Sequence, residues 1–361
     1  MENRNLHLAK FAKNDEFYTQ LTDISDELKY YRESFEGKVV LCNCDDSEES
    51  EFTRYFILNF HALKLKKLIC TFFDSTLRNS AFAFVYNGED LNGDGRISQA
   101  DIDMIRQNKA FRNLMVDDSG FDRNNPTESN KKGLYGSGDF RSANAKMYLE
   151  MADIVVTNPP FSLFREYVSQ LMEYDKKFLI IGNMNAITYK EIFPYIMENK
   201  LWFGYGFNKP MTFEVPENYH HEIVDGKRIA KVPAITWFTN LPNQKRTEPM
   251  ELWKEYKPEV YPKYNNYDAI NVDKTYMIPK DYDGVMGVPI SFLNKYCPTQ
   301  FEIIGLGIAN LGLACGVQPY KPEHREYRKN IQKRGVVDGD LYMIENGIVK
   351  VPYARILIRR K

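Results

Sequence analysis

Apolar runs alternate with helix-like segments over the first two thirds of the sequence. The apolar runs read as strands, several of them covered on both faces, and they occupy residues 38–44, 67–73, 82–86, 154–157, 178–182, 201–207 and 234–239. Helical periodicity appears between them, at residues 51–65 and 162–172. This order of elements predicts an α/β fold with a doubly wound, mostly parallel sheet.

The pattern changes after about Leu241. Pro- and Tyr-rich segments such as residues 256–267 replace the regular alternation, which is typical of an irregular lobe that recognises a partner. We therefore predict one domain over residues 1–241, with an insertion at about residues 87–137, and an irregular C-terminal recognition lobe over residues 242–361.

Composition narrows the class of protein without identifying it. Hydrophobic residues make up 43% of the sequence and charged residues 27%, as in ordinary soluble enzymes, and the apolar runs are too short to cross a membrane. The net charge of −1 excludes a uniformly basic surface but allows a local positive cleft. Five cysteines, an odd number placed largely in strand-like runs, predict reduced thiols and a cytoplasmic location.

The sequence Asn158-Pro159-Pro160-Phe161 directly follows one of the apolar runs. Two consecutive prolines cannot continue a strand, so they deliver the Asn and the Phe to the carboxyl end of the strand, where open α/β sheets bind ligands. An amide oxygen, a proline carbonyl and a flat ring together suit the binding of an extrahelical base by its exocyclic amine. This interpretation predicts an amino-methyltransferase. The alternative is a strand terminator with a packed Phe.

The sequence resembles the EcoRI-type family of DNA adenine-N6 methyltransferases from Asp15 nearly to its carboxyl terminus. NPPF alone is weak evidence, because enzymes that methylate RNA or protein amides also carry it. Further motifs follow the order of the family, in the gamma-like arrangement with the cofactor half first. They are NDEFYTQ (14–20), CNCDD (42–46), GDFRS (138–142), DIVVTNPPFSLFREY (153–167), KKFLIIGN (176–183), ITYKE (187–191), YPKYNNYDAINV (261–272) and GVMGVPISFL (284–293).

The resemblance implies S-adenosylmethionine as the methyl donor and a set of residues that bind it. The implied contacts are Asp139 with the adenine amine, Phe140 with the adenine ring, Asp74 with the ribose hydroxyls, Asp45 and Asp46 near the methionine ammonium, and Phe17, Tyr18 and Thr19 lining the pocket. The first strand–helix turn lacks the usual glycine, which leaves the division of roles between Asp45 and Asp46 open. Strand-end aspartates also serve commonly as helix caps and turn formers.

The resemblance also implies how catalysis proceeds. The Asn158 side-chain oxygen and the Pro159 carbonyl would each accept one N–H of the target amine, Pro160 would end the strand, and Phe161 would stack on a base flipped out of the duplex. The implied protein is a site-specific DNA adenine methyltransferase of a restriction–modification system, or an orphan or phage enzyme. Two alternatives are an amino-methyltransferase acting on RNA and a DNA-binding module without catalysis.

Residues 90–101 resemble the calcium loop of EF-hands, and the dockerin version more closely. The spacing predicts a calcium site in the insertion, with ligands from Asp90, Asn92, Asp94, Arg96 (carbonyl), Ser98 and Asp101. The alternative is an exposed Asn-Gly-Asp-Gly turn before a helix.

Two segments concentrate positive charge, residues 321–334 and residues 355–361. Contact with DNA phosphates is one interpretation and a solvated helix face is the other, since Glu323 and Glu326 dilute the first segment. We expect a monomer that binds double-stranded DNA and no membrane. Residues that read the DNA sequence are expected within residues 208–232.

Overall fold

The structure is a computed structural model that describes residues 18–46, 48–74, 80–108, 111, 113–114, 139–207, 209–215, 217 and 219–361. The chain forms two units, Met1–Met184 with Gly204–Pro242, and Asn185–Phe203 with Asn243–Lys361. The residues 185–203 therefore group with the second unit, whereas the predicted functional division runs between residues 241 and 242. That division stays a prediction.

The strands, numbered in chain order, are β1 (Tyr18–Thr19), β2 (Val39–Cys42), β3 (Lys67–Asp74), β4 (Ser80–Tyr86), β5 (Asn113–Leu114), β6 (Ile154–Thr157), β7 (Lys177–Asn183), β8 (Trp202–Phe203), β9 (Met211–Glu214), β10 (Glu222–Val224), β11 (Lys227–Val232), β12 (Ile235–Thr239), β13 (Ile270–Asn271), β14 (Met286–Pro289), β15 (Phe301–Gly307), β16 (Met343–Glu345), β17 (Ile348–Lys350) and β18 (Arg355–Arg360).

The α-helices are α1 (Leu21–Leu28), α2 (Glu51–Leu58), α3 (Gln99–Gln107), α4 (Ala143–Met151), α5 (Phe164–Glu173), α6 (Phe193–Met197), α7 (Ala309–Ala314) and α8 (Pro322–Glu326). Short 3-10 segments lie at Lys29–Phe35, Phe161–Leu163, Met184–Thr188, Gln244–Arg246, Thr275–Met277 and Ile290–Lys295, and a π-helical turn lies at Tyr327–Ile331. No helix among the described residues is long and apolar enough to cross a membrane.

A large sheet with a parallel centre organises the first unit. Its strands lie in the order β5-β4-β3-β2-β6-β7-β12. The pairs β2–β3, β2–β6 and β6–β7 are parallel, which confirms the predicted mostly parallel α/β sheet at its centre. The outer pairs β3–β4, β4–β5 and β7–β12 are antiparallel. For β3 and β4 the reason is the short connection between them, because a parallel crossover needs a dozen residues or more.

The main hydrophobic core lies against this sheet. Every residue of β2 and β6 is buried, as their unbroken apolar sequences predict. Helix α2 begins at the N-cap Ser50, whose side chain accepts the Phe52 N–H at 3.1 Å, and it buries Phe52 and Phe56 in the same core. The five cysteines are free thiols, as predicted.

The described part of the predicted insertion packs into the core. Ile102 and Ile105 of α3 are almost completely buried in the main cluster, and β5 pairs with β4 at the end of the sheet. Ser98 and Asp101 form a capping box at the start of α3, so this helix is locally well specified. The insertion therefore extends the fold of the first unit.

A second sheet, in the order β13-β14-β18-β15, organises the second unit. Strand β18 is paired on both sides, and Ile356, Leu357 and Ile358 are fully buried. Residues 355–360 thus form a strand with a buried centre, and the interpretation of residues 355–361 as a solvated helix face was wrong. The Arg359 guanidinium pairs with Glu302 at 2.9 Å, and Lys361 Nζ donates to the Pro298 carbonyl at 2.6 Å.

The first prediction concerns Gly182 of β7, which lies beneath the ring of Phe164, the first residue of α5. A Cβ atom at Gly182 would lie 2.3 Å from this ring. We expect Gly182→Ala to lower the free energy of unfolding by about 1–3 kcal/mol, since overpacking displaces a buried ring. Urea denaturation measures the change. The control is Gly335→Ala, where a Cβ meets no atom within 4 Å, and equal effects of the two substitutions would contradict the account.

Candidate active site

The Asn158-Pro159-Pro160-Phe161 segment lies at the carboxyl end of β6, as predicted. The buried strand ends at Thr157, and the Pro160 carbonyl accepts the Leu163 N–H at 3.0 Å to begin the 3-10 turn that leads into α5. Asn158 is half-buried, and the half-buried Phe161 ring packs against the edge of the main core. The segment is therefore held between a central strand and a helix.

This strand end lies at the point where the sheet reverses its order. Strand β2 pairs with β3 on one side and with β6 on the other. The strands β3 to β5 are therefore added on one side of the pair β2–β6, and β7 is added on the other side. A crevice opens outside the carboxyl ends of strands at such a reversal, and it is the usual ligand site of open α/β sheets. The residues after β2 and after β6 therefore border one crevice.

Asp45 joins the two strand ends. Its carboxylate accepts a hydrogen bond from the Thr157 hydroxyl at 2.5 Å and another from the Ser50 hydroxyl at 2.7 Å. Asp45 is only 6% exposed, and Thr157 is fully buried. This side chain thus connects the N-cap of α2 with the residue that directly precedes Asn158.

The burial of Asp45 affects its protonation. Burial raises the pKa of Asp45 from 3.8 to about 6, the hydrogen bonds from Thr157 and Ser50 act to lower it, and the nearby Asp46 raises it further. Asp46 itself is half-buried, and its Oδ1 accepts the Glu48 N–H at 2.8 Å within the turn. After β2, the Asp45 and Asp46 carboxylates thus accept hydrogen bonds from the hydroxyls of Thr157 and Ser50 and from the Glu48 N–H.

A second contact joins the same elements beneath the crevice. The Tyr167 hydroxyl of α5 donates to the Asn43 side-chain oxygen, and both residues are buried. The ring of Phe140 meets the Tyr167 ring edge-on, with centroids 5.0 Å apart. Phe140 is therefore a buried ring whose position is set by α5, and its predicted contact with a cofactor ring stays a prediction.

Asp139 lies in the turn before α4, next to an arginine that the sequence analysis did not identify as a site residue. Arg141 binds both carboxylate oxygens, at 2.9 Å through Nε and 2.8 Å through Nη2, and its Nη1 pairs with Glu166 at 2.6 Å. Such a bidentate pair fixes the plane of the carboxylate and leaves lone pairs for a further donor. Arg141 belongs to the GDFRS motif, so its position in the motif was the available signal.

The strand β1 contributes a buried hydroxyl. Thr19 is 4% exposed, and its Oγ1 has no hydrogen-bond partner among the described residues. Buried hydroxyls in native proteins nearly always have a partner, so this atom is suited to a ligand or a water molecule. Strand β1 pairs with β9, and Tyr18 is its first residue. Phe17 lies outside the described residues. Asp74 is the last residue of β3, and the structure does not describe its side chain.

The calcium prediction for residues 90–101 finds no support. Among the described residues, no group of three or more His, Cys, Asp or Glu side chains is placed to hold a metal ion. The Asp90 carboxylate accepts the Gly93 and Gly95 N–H groups at 2.8 and 2.6 Å, and the Asp101 carboxylate accepts the Leu91 N–H at 2.8 Å. The Asn92 and Asp94 oxygens likewise accept from backbone N–H groups two residues on. These oxygens stabilise a turn and a helix start.

Comparison with known proteins identifies the family. Residues 5–361 match the family described as adenine-specific methyltransferase EcoRI. The chain belongs to this family. It is 43% identical to the Type II methyltransferase M.EcoRI of Escherichia coli over 376 residues, which covers 99% of this chain and 97% of the relative.

Two further relatives come from mycoplasmas. The Type II methyltransferase M.MpnI of Mycoplasma pneumoniae is 40% identical over 306 residues, covering 82% of this chain and 83% of that protein. M.MgeORF184P of Mycoplasma genitalium is 38% identical over 306 residues, covering 82% and 84%. No solved structure matches. The family membership confirms the resemblance on which the sequence analysis relied.

The second prediction concerns the pH dependence of stability. Between its ordinary pKa of 3.8 and its folded pKa of about 6, Asp45 holds a proton in the folded state that the unfolded state has released. This group therefore lowers stability by about 2–3 kcal/mol as the pH rises from about 4 to 7. The stability of Asp45→Asn relative to wild type should increase by that amount over the same range. Urea denaturation curves at several pH values measure it, and a constant difference would contradict the burial of an ionisable Asp45.

Proposed function

We propose that the chain transfers a methyl group from S-adenosylmethionine to N6 of an adenine that is flipped out of duplex DNA. Family membership makes it a DNA adenine methyltransferase, and the names of the relatives favour a place in restriction–modification. The observation that carries the proposal is the position of Asn158 and Phe161 at the carboxyl end of β6, beside the reversal of strand order. The family also argues against RNA as the substrate.

The residues of the crevice fit the proposed cofactor. The buried Thr19 hydroxyl has no hydrogen-bond partner among the described residues, and the Asp139 carboxylate keeps lone pairs for an amine donor while Arg141 holds its plane. Bound there, S-adenosylmethionine would supply a methyl group activated by its positive sulfonium. Asp139 and Phe140 would hold its adenine, Asp74 its ribose, and Asp45, Asp46 and residues 17–19 would surround its methionine end.

Asn158 and Pro159 would act on the target amine. The lone pair of this amine is delocalised into the adenine ring, which makes it a poor nucleophile. One N–H of the amine would donate a hydrogen bond to the Asn158 side-chain oxygen, and the other would donate to the Pro159 carbonyl. These two hydrogen bonds favour a pyramidal nitrogen whose lone pair points out of the ring plane. Positioning and charge stabilisation then provide the acceleration, and no carboxylate base is needed because the proton leaves after methyl transfer.

Phe161 and the strand-end hydrogen bonds would fix the geometry. Phe161 would stack on the flipped base, which replaces part of the stacking lost in the duplex. Asp45 holds Thr157 at 2.5 Å, and this contact limits the movement of the backbone that carries Asn158. Residues 242–361 would form the recognition lobe that contacts DNA. Residues 208–232 remain our expectation for reading the sequence.

The third prediction tests the catalytic role of Asn158. Asn158→Ala should lower kcat on duplex DNA by roughly 10²–10³-fold, the typical effect of losing one preorganised hydrogen bond, and leave S-adenosylmethionine affinity unchanged. Asn158→Asp retains an acceptor oxygen and should retain more activity than the Ala variant. Single-turnover methylation gives the rate, and calorimetric titration gives the affinity. An Ala variant that keeps more than about a hundredth of the wild-type kcat would exclude this role.

The fourth prediction tests Asp139. Asp139→Ala should weaken S-adenosylmethionine binding by about 1.5–3 kcal/mol, the contribution of a charged hydrogen bond. The matched control is Glu166→Ala, which removes the other carboxylate bound to Arg141 from an exposed position. If the control weakens binding as much as Asp139→Ala, the effect comes through Arg141 and the direct contact is wrong.

A further inference from the structure

Residues 321–334 of the second unit, which we name the basic segment, concentrate positive charge. They contain six Lys and Arg residues against two Glu residues, whereas the whole chain has a net charge of −1. The segment begins with α8 and continues as the π-helical turn Tyr327–Ile331. Its charge is therefore carried partly on helical turns, with Arg325, Arg328 and Lys329, and partly on the chain that follows them, with Lys333 and Arg334.

One side of the basic segment is anchored to the fold. Tyr327 packs against a small cluster in which the Tyr320 and Tyr342 rings stack 4.4 Å apart. The Arg325 guanidinium pairs with Asp338 at 2.5 Å, and Arg328 Nε donates to the Gly335 carbonyl at 2.8 Å. These contacts order the segment, so little entropy would be lost if its other side bound a ligand.

The other side carries charge that the protein does not neutralise. Lys329, Lys333 and Arg334 are exposed, and none of them forms an ion pair with an acidic residue in the part of the chain that the structure describes. Some exposed lysines elsewhere are paired, for example Lys64 with Glu36 at 2.8 Å, whereas others, such as Lys66 and Lys231, form no ion pair with a described acidic residue. Glu323 and Glu326 are also exposed in this segment, but both lie in α8, before the π-helical turn.

The basic segment also borders a groove. An open cavity of about 800 Å³ lies beside its first residue, Lys321, and its lining includes Lys263, Asn265, Tyr267 and Gln318. Lysine ammonium groups, amides and phenol rings are the groups with which proteins bind the sugar–phosphate backbone. The groove thus brings Lys321 and Lys263 to one lining, where Lys263 pairs with Asp268 at 3.8 Å.

We propose that the basic segment binds the phosphate backbone of duplex DNA through Lys329, Lys333 and Arg334, with Lys321 at the adjoining groove. This inference rests on the proposed DNA substrate and adds the surface that holds it. Contacts with phosphates position a protein on the duplex without reading its sequence. The segment therefore contributes affinity for any duplex, whereas sequence selection requires other residues.

The fifth prediction is that the triple variant Lys329→Gln, Lys333→Gln, Arg334→Gln binds DNA with a weaker salt dependence. Each lost phosphate contact should reduce the slope of log K against log salt concentration by roughly 0.9, so the triple variant should lose about 2–3. Fluorescence anisotropy with a 30-base-pair duplex of mixed sequence measures the slope.

The matched control is Lys29→Gln, Lys64→Gln, Lys200→Gln, which changes the net charge equally at exposed lysines that already pair with Asp26, Glu36 and Glu198. Its slope should equal that of wild type. A basic-segment variant that behaves like this control would overturn the inference, while methylation by wild type would still support the proposed function. The single variant Lys329→Ala, expected to lose about 0.9 in slope, provides the same test should the triple variant fold poorly.

Discussion

The 2.5 Å hydrogen bond from Thr157 to Asp45 joins the two strand ends between which the sheet reverses its order. Both residues are almost completely buried, so the bond forms in a medium where charge-assisted hydrogen bonds are strong and where breaking one leaves a buried polar group unpaired. Because Thr157 directly precedes Asn158, the proposed catalytic amide depends on this contact for its position. The buried Asp45 carboxylate therefore fixes the strand ends at the site, although its burial lowers the stability of the fold near neutral pH.

Other parts of the first unit support the same point. Pro159 and Pro160 end β6, Gly182 leaves space for the Phe164 ring under α5, and the Tyr167 hydroxyl bonds Asn43 after β2. A base placed against Phe161 would therefore meet a surface built on two strands and one helix. Proteins gain catalytic precision when a site rests on such rigid elements, since the reacting groups need little reorganisation.

Local patterns predicted the centre of the sheet and the position of Asn158, because an unbroken apolar run followed by two prolines permits few structures. The partner of Thr157 was not predictable, since Asp45 lies 112 residues away and its hydrogen bond depends on strand order. The calcium prediction gained no support for another reason: Asp90 and Asp101 satisfy the required spacing, yet the same carboxylates also suit turns and helix caps. The basic strand β18 was misread because buried apolar residues lie between charged ends.

The identity of the methylated nucleoside tests directly whether the chain methylates adenine in duplex DNA. The purified chain would be incubated with S-adenosylmethionine carrying an isotopically labelled methyl group, with duplex DNA and with RNA of the same base sequence, and the digested nucleosides would be analysed by mass spectrometry. We expect the label to accumulate as N6-methyladenine in the duplex DNA alone. Label in cytosine or in RNA, or no label in a sample that binds S-adenosylmethionine, would contradict this expectation.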